Sequence, residues 1–195
     1  MTLLAASLWN DFLAGSKQAF ERIFLAHYDD LFRYGMRLTG DEEVVKDCIQ
    51  NLFQRLWQRR KSLGPVAEIR PYLFTALRYH ITDEMRAQKR RSALQTGYPE
   101  LAVENSPEDF LIAQQLTTEQ QAQLLAALNQ LSNRHREALY LKFFDGFAYD
   151  RIATIMDLNQ QSVRNLVHQA IKRMRQVLPT SLLLLLQGIF LDFLL

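Results

Sequence analysis

Side chains able to read the edge of a base pair are concentrated in one short stretch, QQSVRNLVHQAIKRMR, residues 160–175. At helical spacing Gln161, Arg164, Asn165, His168, Gln169, Lys172 and Arg173 share one face, while Val163, Leu166, Val167, Ala170, Ile171 and Met174 share the other. Arg can bond a guanine edge at two points, Asn or Gln can bond adenine, and Lys172 and Arg173 suit phosphates. A shorter segment with apolar Ile152, Ala153 and Ile155 precedes it, and DLNQ separates the two. Two helices in that order match a helix-turn-helix. They also match an αα-hairpin with a solvated charged face, and the pattern alone leaves both open. His168 has no second His or Cys at ligand spacing, so a solvated or phosphate-bonded imidazole is expected rather than a metal ligand.

A second group lies on the stretch 71–91. There Leu73, Phe74, Leu77, Ile81 and Met85 fall on an inward stripe, and Thr75, Arg78, Tyr79, Thr82, Arg86 and Lys89 fall on another. An aromatic among cations suits an unpaired strand, since stacking contributes about 1–3 kcal/mol per base and the cations neutralise phosphates. The alternative is that Tyr79 closes the edge of a core and the cations are solvated.

No other chemistry is legible. The chain contains no nucleophile–base pair, Gly-rich phosphate loop or metal-ligand cluster, so no catalytic residue, metal, cofactor or small-molecule substrate is expected. The acidic pairs at 29–30 and 42–43 fall at helix starts or on solvated faces, where carboxylates are favoured anyway.

These surfaces need elements to hold them. Seven glycines and five prolines in 195 residues, with Leu, Ala, Gln, Arg and Glu dominant, favour an all-α protein. Apolar stripes predict a helix over 17–38 and a second that ends in RRK at 59–61, and TGDE, with Thr39 and Glu42, is spaced as a capping box that starts the second. SLGP at 62–65 is a break, and Pro71 opens the third helix. SPED at 106–109 is a helix start, giving helices near 107–130, 133–144, 149–157 and 160–178, with DG at 145–146 as a stop. Lys plus Arg against Asp plus Glu runs 5 to 8 over residues 1–54, 10 to 3 over 55–91, 0 to 5 over 92–130 and 8 to 4 over 131–178. Two basic blocks flanking an acidic one suit a polyanion touched at two places. Cys48 is the only cysteine, so no internal disulfide forms. The start, MTLLAASLWNDFLAG, lacks a cationic signal-peptide region, and a cytoplasmic location is expected.

Over about residues 17–178 the order of motifs resembles bacterial RNA polymerase sigma factors of the extracytoplasmic-function (ECF) type. DCIQNLFQRLW resembles the helix that docks on the polymerase clamp. RPYLFTALRYHITDEMRAQKRR resembles the segment that melts and reads the start-proximal promoter element, and LSNRHREALYLKFFDGFAYDRIATIMDLNQQSVRNLVHQAIKRMRQVL the domain that reads the upstream element. The resemblance implies two small helical domains on a flexible linker: a promoter-melting domain over 1–91, an acidic linker over 92–118, a helix-turn-helix domain over 119–178 and an apolar tail over 179–195. It implies polymerase contacts at Asp47, Gln50, Asn51 and Gln54. Contacts to the melted strand fall on Arg78, Tyr79, Thr82, Arg86 and Lys89, with a flipped base taken by the loop RKSLGPVAEIR. Contacts to the upstream duplex fall on Gln161, Ser162, Arg164, Asn165, His168 and Lys172. Three positions depart from the family pattern: Tyr79 stands where Asn is usual, Leu166 where Arg is frequent, and Ala148 where a Ser or Thr cap is usual. The last change costs about 1 kcal/mol unless Asp150 compensates.

The implied partners are core RNA polymerase, promoter DNA as duplex and as melted strand, and an anti-sigma factor as a further candidate. The linker is either a decoy for nucleic acid in the polymerase cleft or a solvated tether. The tail, LLLLLQGIFLDFLL, would reach about 21 Å as a helix, short of the roughly 30 Å needed to cross a bilayer. A final helix or hook folded on the protein's own domains, tempering its activity, is expected instead, with a contact to a second copy or another protein as the alternative. Two other functions compete: a stand-alone helix-turn-helix regulator working without polymerase, and a helical adaptor that binds no nucleic acid.

Overall fold

The computed structural model describes residues 2–91, 117–180 and 182; the helix start at 106–109, most of the linker and the tail beyond Leu182 lie outside them. All described elements are helical, and the chain divides into two compact units, 1–102 and 103–195.

The first unit holds α1 (Thr2–Leu13), α2 (Lys17–Thr39), α3 (Glu42–Arg59), a 3-10 turn (Arg60–Ser62) and α4 (Ile69–Arg91). Ser16 caps α2 by accepting from Ala19 N, and Gly40, at φ 67°, ends it with a left-handed cap that returns its N–H to Met36 O. The expected capping box does not form. Asp41 is the cap of α3, accepting from Glu43 N and Val44 N, while the Thr39 hydroxyl accepts from Asp41 N at 3.1 Å and serves the turn instead. A carboxylate at the positive end of a helix outcompetes a hydroxyl two residues earlier.

α4 packs against both α2 and α3, with Leu73, Phe74, Leu77 and Ile81 wholly buried. Phe74 stacks on Tyr34 at 4.9 Å, and Arg70 pairs with Asp30 of α2 at 2.9 Å. Met85, expected inward, is only half-buried because the helix has run past its neighbours there. α1 was not anticipated. It buries Trp9 and Phe12, and the Trp9 indole N–H donates to Gly64 O at 3.1 Å, holding the loop before α4.

The second unit holds α5 (Thr118–Asn129), α6 (Asn133–Phe143), α7 (Tyr149–Met156) and α8 (Gln160–Val177). A helix running unbroken through 107–130 is not observed. Thr117 is extended and forms a capping box with Gln120, so α5 starts there. Ala148 does occupy the cap of α7 without a side-chain bond. Between α7 and α8, Asp157 adopts φ 54° and closes α7, and Asn159 then caps α8 by accepting from Ser162 N at 2.7 Å. The break read at DLNQ is this turn.

Gly35 permits the close approach of α2 and α3: a Cβ there would stand 2.7 Å from Val45 Cγ1. We expect Gly35→Ala to destabilise the chain by about 1–3 kcal/mol through overpacking, despite alanine's better helix propensity. Thermal melting measures this, and Val45→Ala in the same background should recover part of the loss.

Candidate nucleic-acid interface

α8 presents the polar face that its spacing promised. Val163, Val167, Ala170, Ile171 and Met174 are buried against α6 and α7, whereas Gln161, Arg164, Asn165, His168, Gln169, Lys172 and Arg173 are exposed. Ser162 is half-buried at the capped end. The Arg164 guanidinium lies 4.6 Å from the centre of the Tyr149 ring, and Lys142 approaches the same ring at 4.9 Å. Stacking on an aromatic limits the rotamers of Arg164 and leaves its N–H edge to address an acceptor. Gln161 Nε2 donates to Asn165 Oδ1 at 3.1 Å, so these two amides act as a pair. Leu166, expected inside, is half-buried beside this face.

On α4, Tyr79 is 62 % exposed, so it does not close a core edge. Arg78 and Thr82 flank it half-buried, and Arg86 is exposed, paired with Asp83 at 3.6 Å. The Thr82 hydroxyl donates back to Arg78 O at 2.8 Å. What it presents outward is therefore a pair of acceptor lone pairs, which suit a base amino group and repel a phosphate. The Lys89 side chain lies outside the described ones.

On α3, Asp47, Gln50, Asn51 and Gln54 form an unbroken exposed stripe, opposite buried Val45, Cys48, Ile49, Leu52 and Phe53. Beside it runs an apolar groove of about 900 Å³ between α2 and α3, which sequence reasoning missed. Its floor includes Phe20, Phe24, Phe53 and Trp57, with Gln50 and Gln54 on the rim. Phe24 meets Phe53 edge-on at 4.9 Å and Phe20 lies 5.1 Å from Trp57, so the rings shield one another while keeping one side open. The signal was present in the four-residue spacing of Phe20, Phe24, Tyr28 and Phe32. It reads as core because a spacing pattern cannot show that no further helix covers the ridge.

Family models agree with this division. Residues 23–91 match sigma-70 region 2, and residues 121–174 match sigma-70 region 4. The ECF RNA polymerase sigma factor SigL of Mycobacterium tuberculosis is 30% identical over 175 residues, covering 85% of this chain and 94% of that one. The chain belongs to the ECF RNA polymerase sigma factors. Two solved structures share its fold. Sigma factor RpoE of Bartonella quintana, solved with the anti-sigma factor NepR, has a TM-score of 0.58 at 23% identity over 81% of this chain and 95% of that one. CnrH, solved with the cytosolic domain of CnrY, has 0.60 at 17% identity over 88% and 95%. Family membership selects the polymerase-associated sigma factor over a stand-alone regulator and over an adaptor indifferent to nucleic acid. Sigma factors are initiation factors, and RNA synthesis belongs to the polymerase they serve. No described helix of this one is long and apolar enough to cross a membrane.

Burial displaces several titratable groups of this sigma factor from their ordinary values. Burial pushes the Cys48 thiol up to about 11, with the charges of Glu84 and Asp47 adding to the effect, so it stays protonated. Three histidines lie below their ordinary 6.5. Burial depresses His27, aided by Arg70 and opposed by Asp30, and it depresses His80, aided by Arg55 and opposed by Asp83. Burial also depresses His135, aided by Arg173 and opposed by its bond to Gln169. Below about 6.5 the unfolded chain therefore binds more protons than the folded one, and stability present at neutral pH is lost on acidification. The melting temperature should fall between pH 7.5 and 5.5, and replacing His27 and His80 by Gln should flatten that limb. A wild-type profile level across this window would contradict the assignment.

Proposed function

We propose that the two units divide promoter recognition between them. A domain over 1–91 holds polymerase through Asp47, Gln50, Asn51 and Gln54 and captures the melted start-proximal strand on Arg78, Tyr79, Thr82, Arg86 and Lys89. A domain over 119–178 reads the upstream duplex through Gln161, Ser162, Arg164, Asn165, His168 and Lys172. The segment 92–118 tethers them, and 179–195 is a tail outside both. The protein itself catalyses no reaction and works in the cytoplasm, where polymerase and promoter meet. The open groove beside Gln50 and Gln54 extends the surface offered to polymerase. An anti-sigma factor is a further partner, on the example of the RpoE complex with NepR.

The observation that carries this reading is the exposure of Tyr79 beside Arg78 and Arg86 on α4, set against the amide-rich face of α8. An exposed ring among cations costs free energy in water unless a flat apolar partner arrives, and an unstacked base is such a partner. Duplex reading on α8 requires no such ring.

The test is reconstitution with core RNA polymerase on a promoter whose strands carry separate probes. Tyr79→Ala should weaken open-complex formation by about 5- to 150-fold, the loss of one stacked base, with upstream footprinting retained. Arg164→Ala should weaken upstream footprinting by a similar factor, with strand opening retained on a pre-melted template. Equal loss of both signals in both variants would refute the division.

A further inference from the structure

We propose that Ser132, His135 and Gln169 form a positioning relay that presents Gln169 to promoter DNA as a hydrogen-bond donor. The inference rests on α8 being the duplex reader, and it adds a residue and a base preference to that surface.

Gln169 stands on the exposed face of α8 between Asn165 and Lys172, yet its amide is not an unconstrained rotor. Its Oε1 lies 3.4 Å from His135 Nε2, and His135 Nδ1 lies 2.5 Å from Ser132 Oγ. His135 is 8% exposed, whereas Ser132 and Gln169 stand at the surface on either side of its ring. Ser132 is the clearest sign. It occupies the cap position of α6 with φ −66° and ψ 158°, the backbone of a capping serine, yet makes no side-chain cap bond. Its hydroxyl is spent on the imidazole instead.

With the carbonyl oxygen of Gln169 as the atom facing His135 Nε2, the inventory of donors and acceptors sets the polarity of the chain. A buried neutral imidazole has one N–H and one lone pair. The serine O–H donates to Nδ1, which places the imidazole proton on Nε2. That N–H donates to Gln169 Oε1. One carbonyl lone pair of Gln169 is then engaged, and its NH₂ group is turned outward. A free glutamine bonds adenine at two points, accepting from N6 and donating to N7. A glutamine held by its carbonyl presents its donating half first, with one acceptor lone pair left. Guanine, with acceptors at both N7 and O6, is then the better partner, and the cytosine amino group the poorer one. Among the described residues of the α8 face, Gln169 is the amide tethered to another helix, so it is the one whose polarity the rest of the unit sets.

The experiment uses the full chain as holoenzyme with core polymerase, assayed for initiation on a library in which every upstream base pair is varied. Gln169→Ala locates the position it reads: wild type should favour guanine there, and the variant should lose the preference. His135→Phe, which keeps the buried ring, should shift that single position towards adenine by about 3- to 10-fold, with other positions unchanged. Ser132→Ala should move it the same way by less. His135→Gln, which retains an N–H donor, should restore part of the guanine preference, a rescue that a purely packing role would not give. The relay is overturned if His135→Phe leaves the preference at that position intact, or if it weakens all positions equally. A wild-type holoenzyme without any upstream preference would instead overturn duplex reading by α8, and the relay with it.

Discussion

The reading surface of the second unit depends on the burial of one stripe. Val163, Val167 and Ala170 are fully removed from solvent, and Ile171 and Met174 nearly so, against α6 and α7. Burying side chains of this kind contributes about 1.5–3 kcal/mol each for the larger ones. That energy fixes the rotation of α8 about its own axis, which in turn decides which residues face outward. No polar side chain on the exposed face needs to contribute to folding. The left-handed Asp157 and the cap at Asn159 set where the helix begins, so that Gln160 and Gln161 open it on the exposed side. Rotation and register together convert an apolar pattern into a defined row of donors and acceptors.

The first unit solves the same problem with a different emphasis. α4 is held on two sides, by α2 through Tyr34 and Asp30 and by the core of α3, so its outward stripe is also fixed in rotation. What differs is the group displayed. α8 shows amides and cations, able to meet the polar edges of stacked base pairs. α4 shows a ring, useful only against a base that has left its stack. The placement of α1 bears on this: a tryptophan N–H donating to Gly64 O restrains the loop immediately before α4, and with it the start of that helix.

Much of this was legible in the sequence, for a physical reason. α2, α3, α4 and α8 are long and strongly periodic, and apolar spacing reports burial directly. The break at DLNQ and the stop at Gly146, which has φ 66°, were legible because few residues tolerate such backbones. Caps were less so. Thr39 and Asp41 are both good cap residues two positions apart, and only the actual start of α3 decides between them. α1 escaped notice because its sequence, TLLAASLWNDFL, is apolar along most of its length and sets no polar stripe against an apolar one. The relay from Ser132 to Gln169 spans residues 34 or more apart in sequence from His135 onward, and no local pattern announces it. The aromatic groove was not legible, since periodicity shows which residues share a face and not whether another helix covers that face.

Charge explains why such a surface needs a polymerase behind it. Residues 131–178 carry eight cations against four acids, and the whole chain only +2. Affinity for duplex DNA comes largely from phosphate neutralisation and falls steeply with salt. A face of three amides, one stacked arginine, one lysine and further arginines therefore has discrimination in excess of its affinity. Tethering to a large enzyme that already holds DNA supplies the missing part as effective concentration. A sigma factor with a stronger cationic field would linger on any duplex, whereas this one is left to choose among promoters by the edges it can bond. The modest charge and the constrained amides are thus two aspects of one arrangement, in which polymerase provides residence on DNA and the helices of this chain provide the choice of site.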